Sequence, residues 1–482
     1  MDFSMQMKKT ALRTALGYLE QDPMGNALKL LDWADKLAGD GPNSFPAQRA
    51  AFRTVLNDPT CSMHQLIESV FLDIDNEVLK TVFENFFLNA SLIGWPKQDQ
   101  YRRKLGCNIP WAILMAPTSA CNLHCTGCWA AEYGNKLNLT YEELSDIVCQ
   151  GQGFGTYMYI FSGGEPLVRK QDILRLCTEH SDCQFLAFTN ATLIDEAFAA
   201  EMLRVKNFIP AISVEGFEEA TDRRRGAGTY QAIMRAMEIL KRHRLPFGAS
   251  CCYTSQNVDS ISSEAFIDHL VDCGAKFAWF FHYMPVGNEA VPDLLPDPAQ
   301  RACMYHKIRE YRSTKPIFTI DFQNDGQYVG GCIAGGRNYL HINANGDIEP
   351  CAFIHYSDFN IREKTLLEAF QSPLFMAYHR HQPFNSNHLR PCPMLENPEM
   401  LRMMVQRSGA HSTDLQSPES AEHLCGKCQR MPTVGPRRQS GCGTVSDRRS
   451  PTPDPTRRHT YGPVQQDRRL QRAAGIPCHP PG

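Results

Sequence analysis

Residues 111–130 read WAILMAPTSACNLHCTGCWA. An apolar run of strand length, WAILMAP at 111–117, feeds a loop that carries three thiols, Cys121, Cys125 and Cys128. The same texture repeats downstream. Candidate strands follow at 156–162, 184–190, 208–215, 247–254 and 276–284, with helical segments near 140–151, 170–180, 195–206, 229–243, 262–273 and 298–313. Six β/α units in order predict an α/β fold whose parallel sheet curls into a partial (β/α)6 barrel. Function in such sheets collects on loops after the C-terminal ends of the strands, and the three-cysteine loop is one of these.

Upstream, residues 1–105 show no strand-like alternation and predict an all-helical region. DNEVLKTVFENFFLNASLIG at 75–94 places Val78, Leu79, Val82, Phe83, Phe86 and Phe87 on one helical face, with Asp75 or Asn76 as cap. Segments near 8–20, 26–38 and 46–56 have similar spacing, separated by DPMGN and GDGPNSFP. A helical cap that shields the main domain is the simplest reading.

At 482 residues the chain exceeds one ordinary core, so two or three domains are expected. No apolar run approaches the roughly 20 residues of a membrane helix. Arg13 and Glu20 interrupt any signal-like stretch, and a cytoplasmic protein is the expectation. Nineteen cysteines without an export signal then point to metal thiolates rather than a disulfide framework. The net charge of −3 offers no broad basic field for nucleic acid. From Gln429 onward the composition shifts to ten Arg, three Asp and neither Lys nor Glu, a net +7 that leaves −10 on residues 1–428. That stretch reads as a disordered basic tail or as a frameshifted reading of a GC-rich gene, and in either case adds nothing to a folded core.

The spacing of the three thiols is C-x3-C-x2-C. Structural zinc usually takes four closed ligands in paired C-x2-C units. Three thiolates suit a [4Fe–4S] cube, in which they hold three irons and leave the fourth for a ligand that is not protein.

The motifs after the next strands carry a resemblance to the radical S-adenosylmethionine (SAM) enzymes. SGGEP follows the second strand, and its Gly163, Gly164, Glu165 and Pro166 match the family motif that holds the methionine amino group. FTNATL follows the third strand and is similar to the family's TNG segment, with Asn190 in place and Ala191 where Gly is usual. ISVEG follows the fourth, and Ser213 matches a position near the SAM ribose. TDRRRGAGTY resembles the D-x-x-R-G segment, which makes Arg225 the first candidate for the SAM carboxylate and Arg224 the second; a guanidinium can grip a carboxylate at two points. The family usually has an aromatic residue before the third cysteine, near adenine. Here Gly127 stands there, and Trp129, after the cysteine, is the candidate aromatic surface. The resemblance spans about 107–290. It implies a SAM-bound [4Fe–4S] cluster on Cys121, Cys125 and Cys128, a 5′-deoxyadenosyl radical that takes hydrogen from substrate, and a low-potential donor of flavodoxin or ferredoxin type.

A second cysteine group follows. CIAGGRNYLHINANGDIEPC at 332–351 contains a hairpin signal, YLHI and DIEPC about an Asn345-Gly346 turn. Cys332 and Cys351 resemble the opening of the SPASM/twitch auxiliary-cluster domain. Cys392 and the pair Cys425-x2-Cys428 lie downstream, although the full seven-cysteine SPASM spacing is absent. These five thiols can supply one auxiliary [4Fe–4S] cluster with one to spare; a zinc site on Cys392, Cys425 and Cys428 is the structural rival. Cys442, in the arginine-rich stretch, is not counted. Cys61, Cys149, Cys177, Cys183, Cys251, Cys252, Cys273 and Cys303 fall within predicted helices or strands and read as core residues. His282 and Tyr283, at the end of the sixth strand, are candidates to line a substrate pocket or simply core.

The expected organisation is a helical cap at 1–105, a radical SAM core at 106–320, an auxiliary iron–sulfur region at 321–428 and the tail at 429–482. Two substrate classes compete, a peptide or protein and an apolar small molecule that an aromatic cap would suit. A non-catalytic iron–sulfur or zinc protein retaining the fold is the alternative from another class.

Overall fold

Short runs of Ile, Phe, Met and Ala become strands where helices cover one face and the barrel interior the other. The computed structural model describes residues 3–38 and 46–428. The expectations for 429–482, for Cys442 and for most of the GDGPNSFP break lie outside these residues. All six expected strands are present: β1 Ala112–Met115, β2 Met158–Phe161, β3 Gln184–Thr189, β4 Phe208–Ser213, β5 Gly248–Tyr253 and β6 Phe277–His282. Each pairs in parallel with the next.

The sheet is wider than the six-unit reading. β7 (Phe318–Asp321) adds in parallel to β6, and β8 (Tyr339–Ile342) adds in parallel to the free edge of β1. β9 (Ile348–Glu349) folds back antiparallel on β8, giving nine strands in the order β7-β6-β5-β4-β3-β2-β1-β8-β9. The hairpin expected at Asn345-Gly346 is therefore β8–β9. It does not form a sheet of its own but covers β1, whose backbone groups would otherwise form an unpaired edge.

The expected helices lie at Tyr141–Phe154, Lys170–Glu179, Glu196–Val205, Thr229–Arg242, Glu264–Cys273 and Pro298–Thr314. Thr229–Arg242 shows why: Ile233, Ala236, Met237 and Leu240 recur at helical spacing and all are buried against the sheet. A further helix, Glu218–Arg225, carries the TDRRR run. On the outer face of the sheet Phe161 and Phe185, both fully buried, stack with centroids 5.7 Å apart.

The N-terminal region is helical as expected, but its last segment is not one α-helix. Asp75 caps Asn76–Val82, accepting from the amides of Glu77 and Val78. The chain then widens into a π-helix, Phe83–Gly94, before returning to α at Trp95–Leu105. A π turn holds more residues than an α turn, so the expected apolar face rotates away. Phe87 ends 48% exposed, while Asn85 and Asn89 turn inward. Asn85 donates to the carbonyls of Ser181 and Cys183, Asn89 to that of Asp182, and Gln98 to that of Gly155. Arg244 and Asp75 make similar bonds ahead of β5. All these partners lie on loops that lead into strands. The helical region thus braces the end of the barrel opposite the three-cysteine loop; it reaches toward the interior through Phe86, edge-on to Trp111 at 5.5 Å.

Beyond β9, the C-terminal region packs helices Pro373–His381, Pro398–Ser408 and Ala421–Cys428 around a second apolar cluster that includes Cys351, Cys425 and Cys428. None of the helices described is long and apolar enough to cross a membrane.

Candidate active site

The chain leaving β1 is fixed on three sides before it reaches its cysteines. On one side runs the extension of β2: Ser162, Gly164 and Glu165 donate their amides to the carbonyls of Met115, Thr118 and Ala120. This contact explains the two glycines. A Cβ at Gly163 would meet Ala116 Cβ and Thr118 O at 2.7 Å, and one at Gly164 would meet Ala120 O at 2.2 Å. On the second side Asn122 accepts from Asn190 and donates to Thr192, each at 2.8 Å, beyond β3. On the third the amide of Thr126 donates to Arg224 O at 2.9 Å.

Glu165 is buried, and its carboxylate is held from three directions. Leu167 N and Thr189 Oγ1 donate to one oxygen at 2.9 and 2.6 Å, and Asn190 N to the other at 2.7 Å. Burial raises its pKa, and those three donors oppose the rise. The Thr-Asn pair after β3 therefore orients the acidic residue after β2. Ala191 adopts a left-handed φ of 61°, the conformation that makes Gly usual there. Pro166 lies behind the wall and opens the 3-10 turn Pro166–Arg169.

Arg224 and Arg225 share one partner that sequence reading passed over. Glu215, two residues past β4 and fully buried, accepts from Arg224 Nη1 at 2.6 Å and from Arg225 Nε and Nη2 at 2.8 and 2.5 Å. Its other oxygen, Oε2, has no hydrogen-bond partner among the described residues. Buried charge needs pairing, and one carboxylate aligns both guanidiniums. The signal in the sequence was the acidic residue of ISVEG ten positions ahead of an Arg pair.

Gly127 has φ +65°, and a Cβ there would meet the Tyr283 hydroxyl at 2.6 Å. The Tyr283 ring, just past β6, thus fills the space that a side chain at position 127 would take. Tyr283 is anchored by Val291 N, which donates to its hydroxyl at 3.0 Å. Trp129 opens the short helix Trp129–Tyr133, and its ring packs edge-on against His341, Phe353 and His355 of the C-terminal region at 5.8–5.9 Å. His282 donates from Nδ1 to Tyr283 O, and burial beside Arg301 pushes its pKa down to about 3, so it stays neutral.

One cavity of about 390 Å³ gathers these groups. Cys121, Cys125, Cys128, Trp129, Gly163, Gly164, Glu165, Asn190, Ser213, Arg224 and Arg225 all line it. Cys252, which the sequence placed in the core, also faces it from β5. Away from these groups the wall is apolar and mostly aromatic: Trp111, Phe188, Trp279, Phe281, Phe322 and Phe353.

A smaller cavity of about 140 Å³ adjoins it, lined by Cys332, Cys351 and Cys392. The β8–β9 hairpin brings the first two together, as its spacing predicted. Cys425 and Cys428 are buried nearby on the helix Ala421–Cys428. Burial pushes the Cys332 and Cys425 thiols up to about 11 and Cys351 to about 12, so a metal entering here must displace protons. Three thiols on the wall of one cavity are a donor set that fits an iron–sulfur cluster.

Residues 115–262 match the radical SAM superfamily, and residues 332–394 match an iron–sulfur cluster-binding domain, SPASM. An uncharacterized protein of Methanocaldococcus jannaschii is 27% identical over 251 residues, which cover 50% of this chain and 84% of that protein. The AdoMet-dependent heme synthase of Methanosarcina barkeri is 22% identical over 294 residues, covering 55% and 83%. The crystal structure of Streptococcus suis SuiB bound to precursor peptide SuiA superposes with a TM-score of 0.51 at 20% identity, over 63% of this chain and 76% of that one, a likeness of fold. Residues 115–262 thus carry a radical SAM domain, and residues 332–394 after it a SPASM iron–sulfur cluster-binding domain.

Proposed function

We propose that the chain cleaves SAM reductively at a [4Fe–4S] cluster held by Cys121, Cys125 and Cys128, and that hydrogen is then taken from an apolar carbon centre of a second substrate. Bound there, a reduced cluster would supply one electron to SAM for scission of the sulfonium C5′–S bond to methionine and a 5′-deoxyadenosyl radical. The observation that carries this reading is the convergence of the three thiols, Glu165 and the Arg224–Arg225 pair on one cavity.

The residues divide the work. Glu165, locked by Thr189 and Asn190, presents a fixed carboxylate to the methionine amino group. Arg225, aligned by Glu215, faces the methionine carboxylate, with Arg224 beside it. Ser213, on the wall of the same cavity, would meet the ribose. Tyr283, packed on Gly127, offers the adenine its aromatic surface, and Trp129 joins the loop to the C-terminal region. Trp279 and Phe281 project from β6 into the barrel and keep water from the reacting carbon.

The wall beyond the SAM residues contains no charged side chain, which supports an apolar substrate group. A free small molecule and an apolar side chain of a peptide both satisfy it. The heme synthase relative and the peptide-bound SuiB represent these two classes. The division of the chain expected from sequence, with 1–105 as helical cap, 106–320 as SAM core and 321–428 as auxiliary region, belongs to the same proposal.

Anaerobically reconstituted protein given dithionite and SAM should release 5′-deoxyadenosine, and Cys125→Ala should abolish the release. Cleavage at the normal rate by the alanine variant would falsify the assignment.

A further inference from the structure

The wall between the two cavities contains one side chain with a role on each side. Tyr339, on β8, lines both the large cavity and the thiol-lined one. Its ring meets Phe322 edge-on at 6.0 Å, and Phe322 belongs to the aromatic substrate wall. Its hydroxyl points the other way and donates to Cys351 Sγ at 2.7 Å. Tyr339 is largely buried, and Cys351 with it.

A second tyrosine marks the same place. Tyr378, on the helix Pro373–His381, is fully buried, and its hydroxyl has no hydrogen-bond partner among the described residues. A buried hydroxyl left unpaired is destabilising, so its presence calls for a partner the protein chain does not provide. Tyr378 packs in the same apolar cluster as Cys351, Cys425 and Cys428, with Cys332 and Cys392 against it, so its free hydroxyl lies among the candidate ligands.

We infer that Tyr339 is the hydrogen-bond donor that sets the redox potential of an auxiliary iron–sulfur cluster on these cysteines, acting through the Cys351 sulfur at the boundary with the substrate cavity. The inference rests on the reading that the second thiol group holds such a cluster. The physical cause is electrostatic: a donor to a ligand sulfur stabilises the more negative, reduced state and raises the potential. Tyr339 is a positioning residue in this account, since it acts through Cys351.

The test uses full-length protein in which Cys121, Cys125 and Cys128 are all replaced by Ala, so that any iron–sulfur signal comes from the auxiliary site. In that background Tyr339→Phe deletes the hydroxyl and keeps the ring. An EPR-monitored redox titration should show the midpoint potential shifted to lower values than in the parent. Tyr378→Phe should shift it in the same direction, while Tyr159→Phe, which removes a buried hydroxyl bonded to Val148 O in the distant barrel wall, should leave it in place. An intact signal with an unmoved potential in Tyr339→Phe overturns the inference and leaves the auxiliary cluster standing. No iron–sulfur signal in the parent overturns both. If Tyr339→Phe alone loses the signal, the Tyr378→Phe titration decides: no shift there rules against hydroxyl tuning at this site.

Discussion

Gly164 shows how much a single hydrogen in place of a methyl group determines here. Its Cα faces the carbonyl of Ala120 so closely that a Cβ would sit 2.2 Å from that oxygen, and the obstacle is backbone rather than a flexible side chain. Gly164→Ala must therefore push the loop that carries Cys121 away from the β2 extension. The expected result is a folded protein whose reconstituted iron content and 5′-deoxyadenosine yield both fall at least tenfold. Glu165 makes a complementary case. Glu165→Gln keeps the volume but removes the charge and turns one acceptor into a donor facing Thr189 and the Asn190 amide. SAM affinity, measured by equilibrium dialysis, should drop more than cluster content. At this scale the sequence was informative where a motif fixes a backbone contact, as in SGGEP. It was silent where partners come from separate strands. Tyr283 against Gly127 follows from tertiary proximity that no spacing along the chain encodes, whereas Glu215 beneath the two arginines lies within ten residues of them and could have been read.

At the scale of elements, β7 ends at Asp321, fully buried, whose carboxyl burial raises to about 6 despite bonds from Asn324. The sign follows from linkage. The unfolded chain releases this proton near 3.9, so between about pH 4 and 6 the folded state is the better proton binder, and stability falls as the pH rises. Asp321→Asn mimics the protonated form. The stability difference between wild type and Asp321→Asn should move against wild type from about pH 4 to 6 and then level off, as read by urea denaturation at each pH. The brace of N-terminal helices gives a second test. Asn85→Ala leaves the buried Cys183 carbonyl and the partly exposed Ser181 carbonyl without their donor and should cost about 2 kcal/mol, lowering the urea midpoint without changing m. The long helices between the strands were legible from apolar spacing, and so were all six central strands; Ser62–Asp73, Glu218–Arg225 and the helices of the C-terminal region were not. The π-helix Phe83–Gly94 was not. An α-helical template assigns Phe87 to the apolar face, and only the docking of Asn85 and Asn89 onto the 181–183 carbonyls shows why the wider turn wins.

For the molecule as a whole, the SAM site was the most legible part because each of its motifs follows a strand, and a parallel sheet brings those ends to one place. The relation between the two thiol groups was not legible, because it depends on β8 pairing with β1 rather than on any local pattern. That pairing sets the auxiliary thiols behind Tyr339, next to the substrate wall. The central claim is that the chain holds two separate iron–sulfur sites and that only the first cleaves SAM. The most direct measurement is anaerobic reconstitution of the Cys121→Ala, Cys125→Ala, Cys128→Ala triple variant, followed by iron analysis, absorption spectroscopy and a dithionite-driven assay for 5′-deoxyadenosine. The prediction is close to four irons per chain, on the order of one cube, with an iron–sulfur absorption band and no 5′-deoxyadenosine. Release of 5′-deoxyadenosine at the wild-type rate, or a variant that binds no iron at all, would contradict it.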